Sequence, residues 1–332
     1  MERDELHMTR QKVLTLFLLI CTAAAGLAQS PPVALQPEIT LPFRFVAYGD
    51  TRFTDPQNTD ASNPSVRQAL VEAIAGAHPA FISIGGDIAY NGYDVNDWKT
   101  WDKETAAWSA NKIPVYPALG NHDLHGDEKI ALANYFQRFP YLQNNRYYSV
   151  LAANTLLLML DSSLDETSGP QGQWLVQELD RLPAAVDFVC LVLHHPPYTD
   201  SSDQFLGGGH SARHSEQALA QLLEERQAHI RARFVVIAGH VHNYERHEHN
   251  GVTYLVTGGG GARPYLVARA PGDPMRGKAA VNYHYLLIEV DRGKMKVTMN
   301  RLELANGKAD WSTPDSVEIA APAAAMPAKA GK

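Results

Sequence analysis

The chain has 332 residues, 45% of them hydrophobic and 20% charged, a globular composition that excludes wholesale disorder and fibrous repeats. Its formal net charge of −7 offers no long-range attraction to nucleic acid or to anionic membrane surfaces, so an anionic ligand must meet positive charge supplied locally. The two cysteines, Cys21 and Cys190, exclude a disulfide scaffold and a cysteine-rich zinc or iron–sulfur site, whereas histidine is abundant, with ten of its 14 copies running from His194 to His284.

Residues 1–28 read as a secretory signal: Arg10 and Lys12 precede an apolar run, and the small-residue end at Gly26-Leu27-Ala28 suits cleavage before Gln29. The run is too short to span a bilayer, so no stable membrane anchor is expected. Met8 is an alternative start. Cleavage would remove Cys21 and leave Cys190 as a buried small hydrophobe. Residues 29–42 form a proline-rich leader, 43–305 the expected catalytic domain, and 306–332 an Ala/Pro/Lys-rich flexible tail.

Within the domain the pattern predicts a strand over 43–48, a helix over 64–77 capped by Ser62 or Asn63, and a strand over 80–84. A helix around 98–108, a strand over 114–118 and a helix over 127–139 follow. Further strands are expected at 147–151, 155–160 and 188–193, with a helix over 172–182 before the last. A helix over 215–227 leads to a strand over 234–238, and 253–256, 283–290 and 294–300 read as antiparallel strands. Alternating strands and helices followed by a strand-rich half indicate an α/β domain with more than one sheet. There is no internal repeat.

Polar residues cluster where the predicted strands end: Gly49-Asp50, Gly85-Gly86-Asp87, Gly120-Asn121-His122-Asp123, His194-His195-Pro196 and Gly239-His240-Val241-His242. The carboxyl ends of strands line the ligand crevice of an open α/β sheet, so these blocks converge on one site. The candidate ligands are Asp50, Asp87, Tyr90, Asn121, His194, His240 and His242, an oxygen and nitrogen set without thiolate that suits iron, manganese or zinc. Seven ligands are too many for one catalytic ion with an open position. They suit two ions sharing a carboxylate, which can hold a phosphoester oxygen, bridge a hydroxide nucleophile and stabilise the leaving oxygen.

The ordered blocks GD, GDxxY, GNHD, HxP and GHVH resemble those of the calcineurin-like metallophosphoesterases, closest to the purple acid phosphatase branch, over residues 43–261. Tyr90 in Gly86-Asp87-Ile88-Ala89-Tyr90 and the run His240-Val241-His242-Asn243-Tyr244-Glu245-Arg246 carry the likeness to that branch. The resemblance implies a metallophosphatase-type sandwich of two mixed β-sheets flanked by helices. It also implies that Asp50, Tyr90 and His242 hold a first, ferric ion, that Asn121, His194 and His240 hold a second, divalent ion (Fe, Zn or Mn), and that Asp87 bridges both. His122 would protonate the leaving alkoxide, with Asp123 orienting it. One departure is Asp50-Thr51-Arg52, where the branch usually has glycine in place of Arg52; this side chain either contacts the substrate phosphate or points to solvent. The histidine found there in the wider superfamily is also missing, consistent with Tyr90 taking the ligand role; Tyr90 as a core aromatic is the alternative.

His195, next to a ligand on a strand, is expected to face away, and His240 and His242 are expected to share one face of a strand. His125, His210 and His214 lie in loops, and His210 and His214 follow three glycines as a candidate substrate rim or as solvated loop residues. Trp98, Trp101 and Trp108 read as core or cleft wall, and the glycines at 258–261 as a tight turn under the site. The expected function is an exported phosphoester hydrolase acting on a small phosphomonoester, with no nucleic acid and no obligate protein partner. The alternatives are a phosphodiesterase acting on nucleotides or lipid head groups, and a non-catalytic metal-binding surface protein on the same scaffold.

Overall fold

The computed structural model describes residues 32–201 and 210–323. The proposed signal, and the three glycines before His210, lie outside the described residues. In chain order the first elements are β1 (Ala34–Leu35), β2 (Phe43–Tyr48), α1 (Pro64–Gly76), β3 (Ile82–Ile84), α2 (Val95–Glu104), α3 (Ala106–Ala110) and β4 (Val115–Pro117). Then come α4 (Glu128–Arg138), β5 (Tyr148–Ala152), β6 (Thr155–Met159), α5 (Gly169–Asp180), β7 (Phe188–Leu193), α6 (His214–Gln227) and β8 (Arg233–Ala238). The last are β9 (Tyr244–His249), β10 (Val252–Thr257), β11 (Tyr283–Val290), β12 (Lys294–Ala305), β13 (Lys308–Ser312) and β14 (Ser316–Ala320).

The strands form two mixed sheets, one in the order β1-β5-β6-β7-β8-β10-β9 and the other β13-β12-β11-β2-β3-β4, with β14 also paired to β12. β7 shows why they stack. Its sequence FVCLVL is buried throughout, as expected of a strand covered on both faces. Alternation sends Phe188, Cys190 and Val192 into the main core with Phe45 and Leu286 of the other sheet. Val189, Leu191 and Leu193 go instead to a second core with Trp174 and Leu175 of α5 and Leu219 and Leu223 of α6. On the far side α1, α2 and α3 cover the other sheet through Leu70, Trp98 and Trp108. The result is the expected α/β sandwich of two mixed sheets flanked by helices. Cys190 is a buried small hydrophobe, as its apolar run predicts. Among the described residues no helix is long and apolar enough to cross a membrane.

Local chemistry accounts for most element limits. Asn63 caps α1 by accepting from the backbone of Ser65 and Val66, with Pro64 in the first turn. The helix expected around 98–108 is two helices that meet at Thr105, whose hydroxyl turns back to the Trp101 carbonyl at 2.7 Å. All three tryptophans are core, and Trp98 and Trp108 satisfy their indole N–H on the carbonyls of Gly92 and Val71.

Two expected boundaries are corrected. The leader at 29–42 contributes β1, which pairs parallel with β5, and the tail does not begin at 306, since β13 and β14 both pair with β12. β14 reads SVEIA with alternate residues turned inward, a period-2 signal, whereas β13 is exposed throughout and held by its ladder and by edge-to-face contact between the Trp311 and Tyr285 rings, with centroids 5.8 Å apart.

A buried arginine braces the loop after β2. Arg67 of α1, with a side chain 0% exposed, donates to Glu104 at 2.9 and 2.8 Å and to the Thr54 carbonyl at 3.0 Å. It also bonds Ser62, whose hydroxyl donates to the Arg52 carbonyl at 2.8 Å. Truncating one partner of such a pair leaves an uncompensated buried charge. Glu104→Ala should therefore lower the unfolding free energy by about 3–5 kcal/mol in urea denaturation; a loss below about 1 kcal/mol, the value of an exposed ion pair, would show that solvent screens this pair.

Candidate metal centre

The strands β2, β3 and β4 run parallel in one sheet, and β7 and β8 run parallel in the other. Their carboxyl ends deliver Asp50, Asp87 and Asn121 from the first sheet and His194, His240 and His242 from the second. The turns are tight. Asp50 (φ 59), Asp87 (φ 54) and His240 (φ 68) are all in the left-handed region, which costs a non-glycine residue about 1–2 kcal/mol. Main-chain bonds hold them there: Asp50 N–H to Gly86 O at 3.1 Å, Gly239 N–H to His194 O at 3.0 Å, and His240 N–H to Asp50 Oδ2 at 2.9 Å. Gly86 (φ 87) is obligatory, because a Cβ there would lie 2.7 Å from the Gly120 backbone and 2.8 Å from His194 Nδ1. Since β8 ends at Ala238, His240 and His242 sit in a turn and not on one strand face, which corrects the expectation from alternation.

The imidazoles are oriented by carbonyls. His194 Nδ1 lies 2.9 Å from Gly85 O and His242 Nδ1 2.7 Å from Arg263 O; a carbonyl only accepts, so both nitrogens carry hydrogen and each Nε2 of the neutral ring presents a lone pair. His194 Nε2 then faces Asn121 Oδ1 at 2.9 Å, His240 Nδ1 at 3.2 Å and Asp87 Oδ1 at 3.3 Å. His242 Nε2 faces Asp50 Oδ1 at 3.4 Å, and both of these buried atoms lack a hydrogen-bond partner. Asp50, Asp87 and His242 offer atoms that all lie within 4.8 Å of one another. Two neighbouring groups of lone-pair atoms with orphaned members fit two cations, and the oxygen and imidazole set fits borderline metals.

The electrostatics agree. Burial pushes the Asp50 carboxyl up to about 7, with Asp87 adding to the rise. Burial would raise Asp87 too, but His194, Arg52 and His122 together hold it well below the ordinary carboxylate range. Burial lowers His242 to about 3 and His122 to about 4, and lowers His240 further, so these rings stay neutral. Neutral imidazoles and an ionised Asp87 are the states that bind metal, whereas burial works against the ionised form of Asp50, which a cation at the site would favour.

The remaining expected site residues separate. His122 N–H donates to Asp87 Oδ1 at 2.9 Å, its Nδ1–H to Tyr90 O at 2.7 Å, and its ring lies against His125 with centroids 4.1 Å apart. Asp123 does not orient that ring: its carboxylate accepts from the backbones of Ile88, Ala89 and Gly120 at 2.9, 3.1 and 2.9 Å, lacing the second turn to the third. Tyr90 places its ring over His122, with centroids 5.3 Å apart. Arg52 neither points to solvent nor stands free for a phosphate, but donates through Nε and Nη2 to Asp87 Oδ2 at 3.1 and 3.0 Å. His210 does reach the cluster, with Nδ1 3.0 Å from His240 Nε2. His214 is exposed at the start of α6.

Two residues escape the sequence reading. His195 does not face away: its ring lies 4.3 Å from that of His240, and its Nδ1 meets Ser162 Oγ at 2.8 Å. β7 ends at Leu193, so alternation no longer applies there. Tyr265, in the segment between β10 and β11, stacks on His242 and His210 with centroids 4.0 and 4.5 Å apart. The glycines at 258–261 do pass beneath the site, with Gly260 N–H donating to Gly49 O at 2.9 Å and Ala262 N–H to Asp50 O at 3.0 Å.

Comparison with known proteins follows the same lines. The calcineurin-like phosphoesterase family model matches residues 43–244. Purple acid phosphatase 23 of Arabidopsis thaliana is 28% identical over 158 residues, covering 45% of this chain and 32% of that protein. Purple acid phosphatase 1 of Ipomoea batatas is 23% identical over 239 residues, covering 66% and 45%. The chain thus spans less than half the length of these two relatives. Among solved structures, purple acid phosphatase PPD1 from yellow lupin (Lupinus luteus) superposes with a TM-score of 0.66 at 15% identity, covering 86% of this chain and 55% of that one. GAP50, the anchor in the inner membrane complex of Plasmodium, does so at 0.59 and 14%, covering 84% and 89%, and these likenesses show the shared fold. With the family model spanning most of the chain and its motifs gathered at one site, the protein belongs to the calcineurin-like phosphoesterase family and, within it, is similar to the purple acid phosphatases.

Proposed function

We propose that the protein is an exported phosphomonoesterase with two metal ions, the first ferric and the second divalent. The observation that carries this reading is the convergence of lone-pair atoms, with Asp50 Oδ1 and His242 Nε2 buried and unpartnered at 3.4 Å. Asp50, Tyr90 and His242 would hold the first ion, Asn121, His194 and His240 the second, and Asp87 both. Two such ions supply Lewis acidity toward a phosphoryl oxygen and a nucleophilic water near neutral pH.

The chain's own residues do the rest. His122 commits Nδ1–H to Tyr90 O, so a proton for the leaving alkoxide sits on Nε2, and only in the imidazolium. His210 and Tyr265 wall the cluster and orient the phosphoester through their ring edges. The pocket is cationic when loaded, which reconciles an acidic chain with an anionic substrate. The composition gives no reason to invoke nucleic acid or an obligate protein partner, and residues 1–28 support export.

Three outcomes test this reading. Asp87→Asn and His240→Ala should each lower hydrolysis of an aryl phosphomonoester by more than about a hundredfold, since losing even a group that supports a ligand costs 10- to 100-fold. His210→Ala should raise KM with little change in kcat, and a large preference of the wild type for an aryl diester would favour the phosphodiesterase alternative.

The metals have their own signature. A tyrosinate-to-iron absorption should colour the loaded protein and vanish in Tyr90→Phe. A colourless, fully active protein holding only zinc or manganese would remove iron and the tyrosinate from the account.

The proton donor predicts a pH dependence. A histidine lowered to about 4 is protonated only as pH falls toward that value, so acidification should speed hydrolysis of an alkyl phosphate, whose leaving group needs a proton. An aryl phosphate with a good leaving group should gain less, and His122→Asn should erase the difference. Equal pH profiles for both esters in the wild type would assign the proton to another group.

A further inference from the structure

The imidazoles at the strand ends fall into two kinds, set by what stands behind each ring. His194 and His242 are backed by carbonyls at 2.9 and 2.7 Å, which only accept, so Nδ1 carries the hydrogen and Nε2 offers a lone pair. His195 is backed by a hydroxyl. Its Nδ1 lies 2.8 Å from Ser162 Oγ, and the same oxygen already accepts the His195 backbone N–H at 3.1 Å. A hydroxyl has one hydrogen, and among the described residues this one has no acceptor other than Nδ1. Ser162 is buried, so a hydrogen on Nδ1 would leave the hydroxyl hydrogen unpaired away from water. Ser162 therefore donates to Nδ1, and His195 carries its hydrogen on Nε2.

The pair is fixed from both sides. Arg213 donates through Nη2 to the Ser162 carbonyl and through Nε to Glu216 at 2.9 and 3.1 Å. Beside the serine, Asp161 accepts from the Ser163 N–H and hydroxyl at 2.9 and 2.7 Å and from Arg146 Nε at 2.5 Å. Pro196 restricts the backbone of His195 to extended conformations. The ring so held lies against the cluster, with centroids 4.3 Å from His240 and 4.9 Å from His194, and it offers a nitrogen within 4.8 Å of a nitrogen of each. The residue is only half-buried, and Nε2 has no protein partner among the described residues. A nitrogen that carries hydrogen cannot ligate a cation, so the third imidazole of this group is a hydrogen-bond donor.

We propose that His195 binds the substrate phosphoryl group, its Nε2–H donating to a terminal phosphate oxygen beside the position built by Asn121, His194 and His240, and that Ser162 is the positioning residue that sets its tautomer. This rests on the two-ion phosphomonoesterase reading and adds to it a donor that needs no charge and displaces no cation. A phosphomonoester presents three terminal oxygens, one more than a diester, so a donor additional to the two ions favours the monoester.

Orthophosphate carries the same oxygens and serves as the probe. The full chain is loaded with zinc, its metal content is measured after dialysis, and orthophosphate is titrated in by calorimetry, which reads binding without turnover. Asparagine places its amide near the Nδ1 position of the imidazole it replaces and glutamine near the Nε2 position, so the two variants separate the edges of the ring. His195→Asn should retain both ions but bind orthophosphate about tenfold or more weakly, as expected for a lost hydrogen bond to a charged group, whereas His195→Gln should lose less than about threefold. Ser162→Ala, which frees the tautomer, should fall between them with the same metal content and the same thermal midpoint as His195→Gln. KM for an aryl phosphate should follow the orthophosphate constants across the set. Equal orthophosphate affinity in the wild type and His195→Asn, or equal losses in the Asn and Gln variants, overturns the proposal and leaves the two-ion reading standing. Loss of an ion in His195→Asn would make the residue a ligand and overturns it as well. A wild type that retains fewer than two ions, or that binds no orthophosphate when loaded, overturns the two-ion reading and the proposal with it.

Discussion

The structure turns on two carboxylates that have no solvent. Asp50 and Asp87 are both 0% exposed at the ends of adjacent parallel strands, within a few ångströms of each other and of imidazoles oriented to offer lone pairs. Buried like charges are among the most costly arrangements a protein can adopt, and they persist only beside strong positive charge. Arg52 supplies one such charge to Asp87, while Asp50 Oδ1 has no hydrogen-bond donor. Much of the surrounding architecture serves to keep these groups in place. The left-handed turns, Gly86, the Asp123 carboxylate lacing two loops and the Arg67 brace beneath Arg52 all act on the backbone that carries them.

That division explains which parts of the site can be read from residues in order. Asp50, Asp87, Asn121, His194, His240 and His242 are legible because each follows a short apolar run and a sharp turn, so the strand end and the polar residue are announced together. Tyr265 has no such signal: it lies in an irregular segment and reaches the site only through its stack on His242 and His210. Asp123 misleads for the opposite reason. A carboxylate beside a histidine looks like an orienting partner, but three backbone amides claim it. His195 misleads because alternation is a property of strands, and β7 has ended before it.

The fold was legible to a similar depth. Interior strands such as β6, β7 and β8 carry apolar runs buried on both faces, and β12 alternates, so each is legible to within a few residues. The edges were not. β1 is two residues long, and every residue of β13 is exposed, so neither has a hydrophobic pattern to detect. β13 leaves little trace in composition, whereas the alternation of β14 is a signal hidden in an Ala/Pro-rich stretch, which is why 306–332 reads as a tail.

The two sheets contribute different chemistry. Asp50, Asp87 and Asn121, which offer oxygen, come from the sheet containing β2, β3 and β4, whereas His194, His240 and His242, which offer nitrogen, follow strands of the one containing β7 and β8. Each group of converging atoms draws on both: Asn121 Oδ1 with His194 Nε2, and Asp50 Oδ1 with His242 Nε2. The distances between these groups are therefore set by the packing of the main core between the sheets, by apolar residues such as Phe45, Cys190 and Val192. On the proposed two-ion reading, a cation held by both sheets would tie them together, and since the unfolded chain cannot reproduce that geometry, its binding energy would become folding energy. The site is thus a property of the sandwich as a whole, since a core substitution that lets the sheets slip would pull the oxygen-bearing and nitrogen-bearing side chains apart.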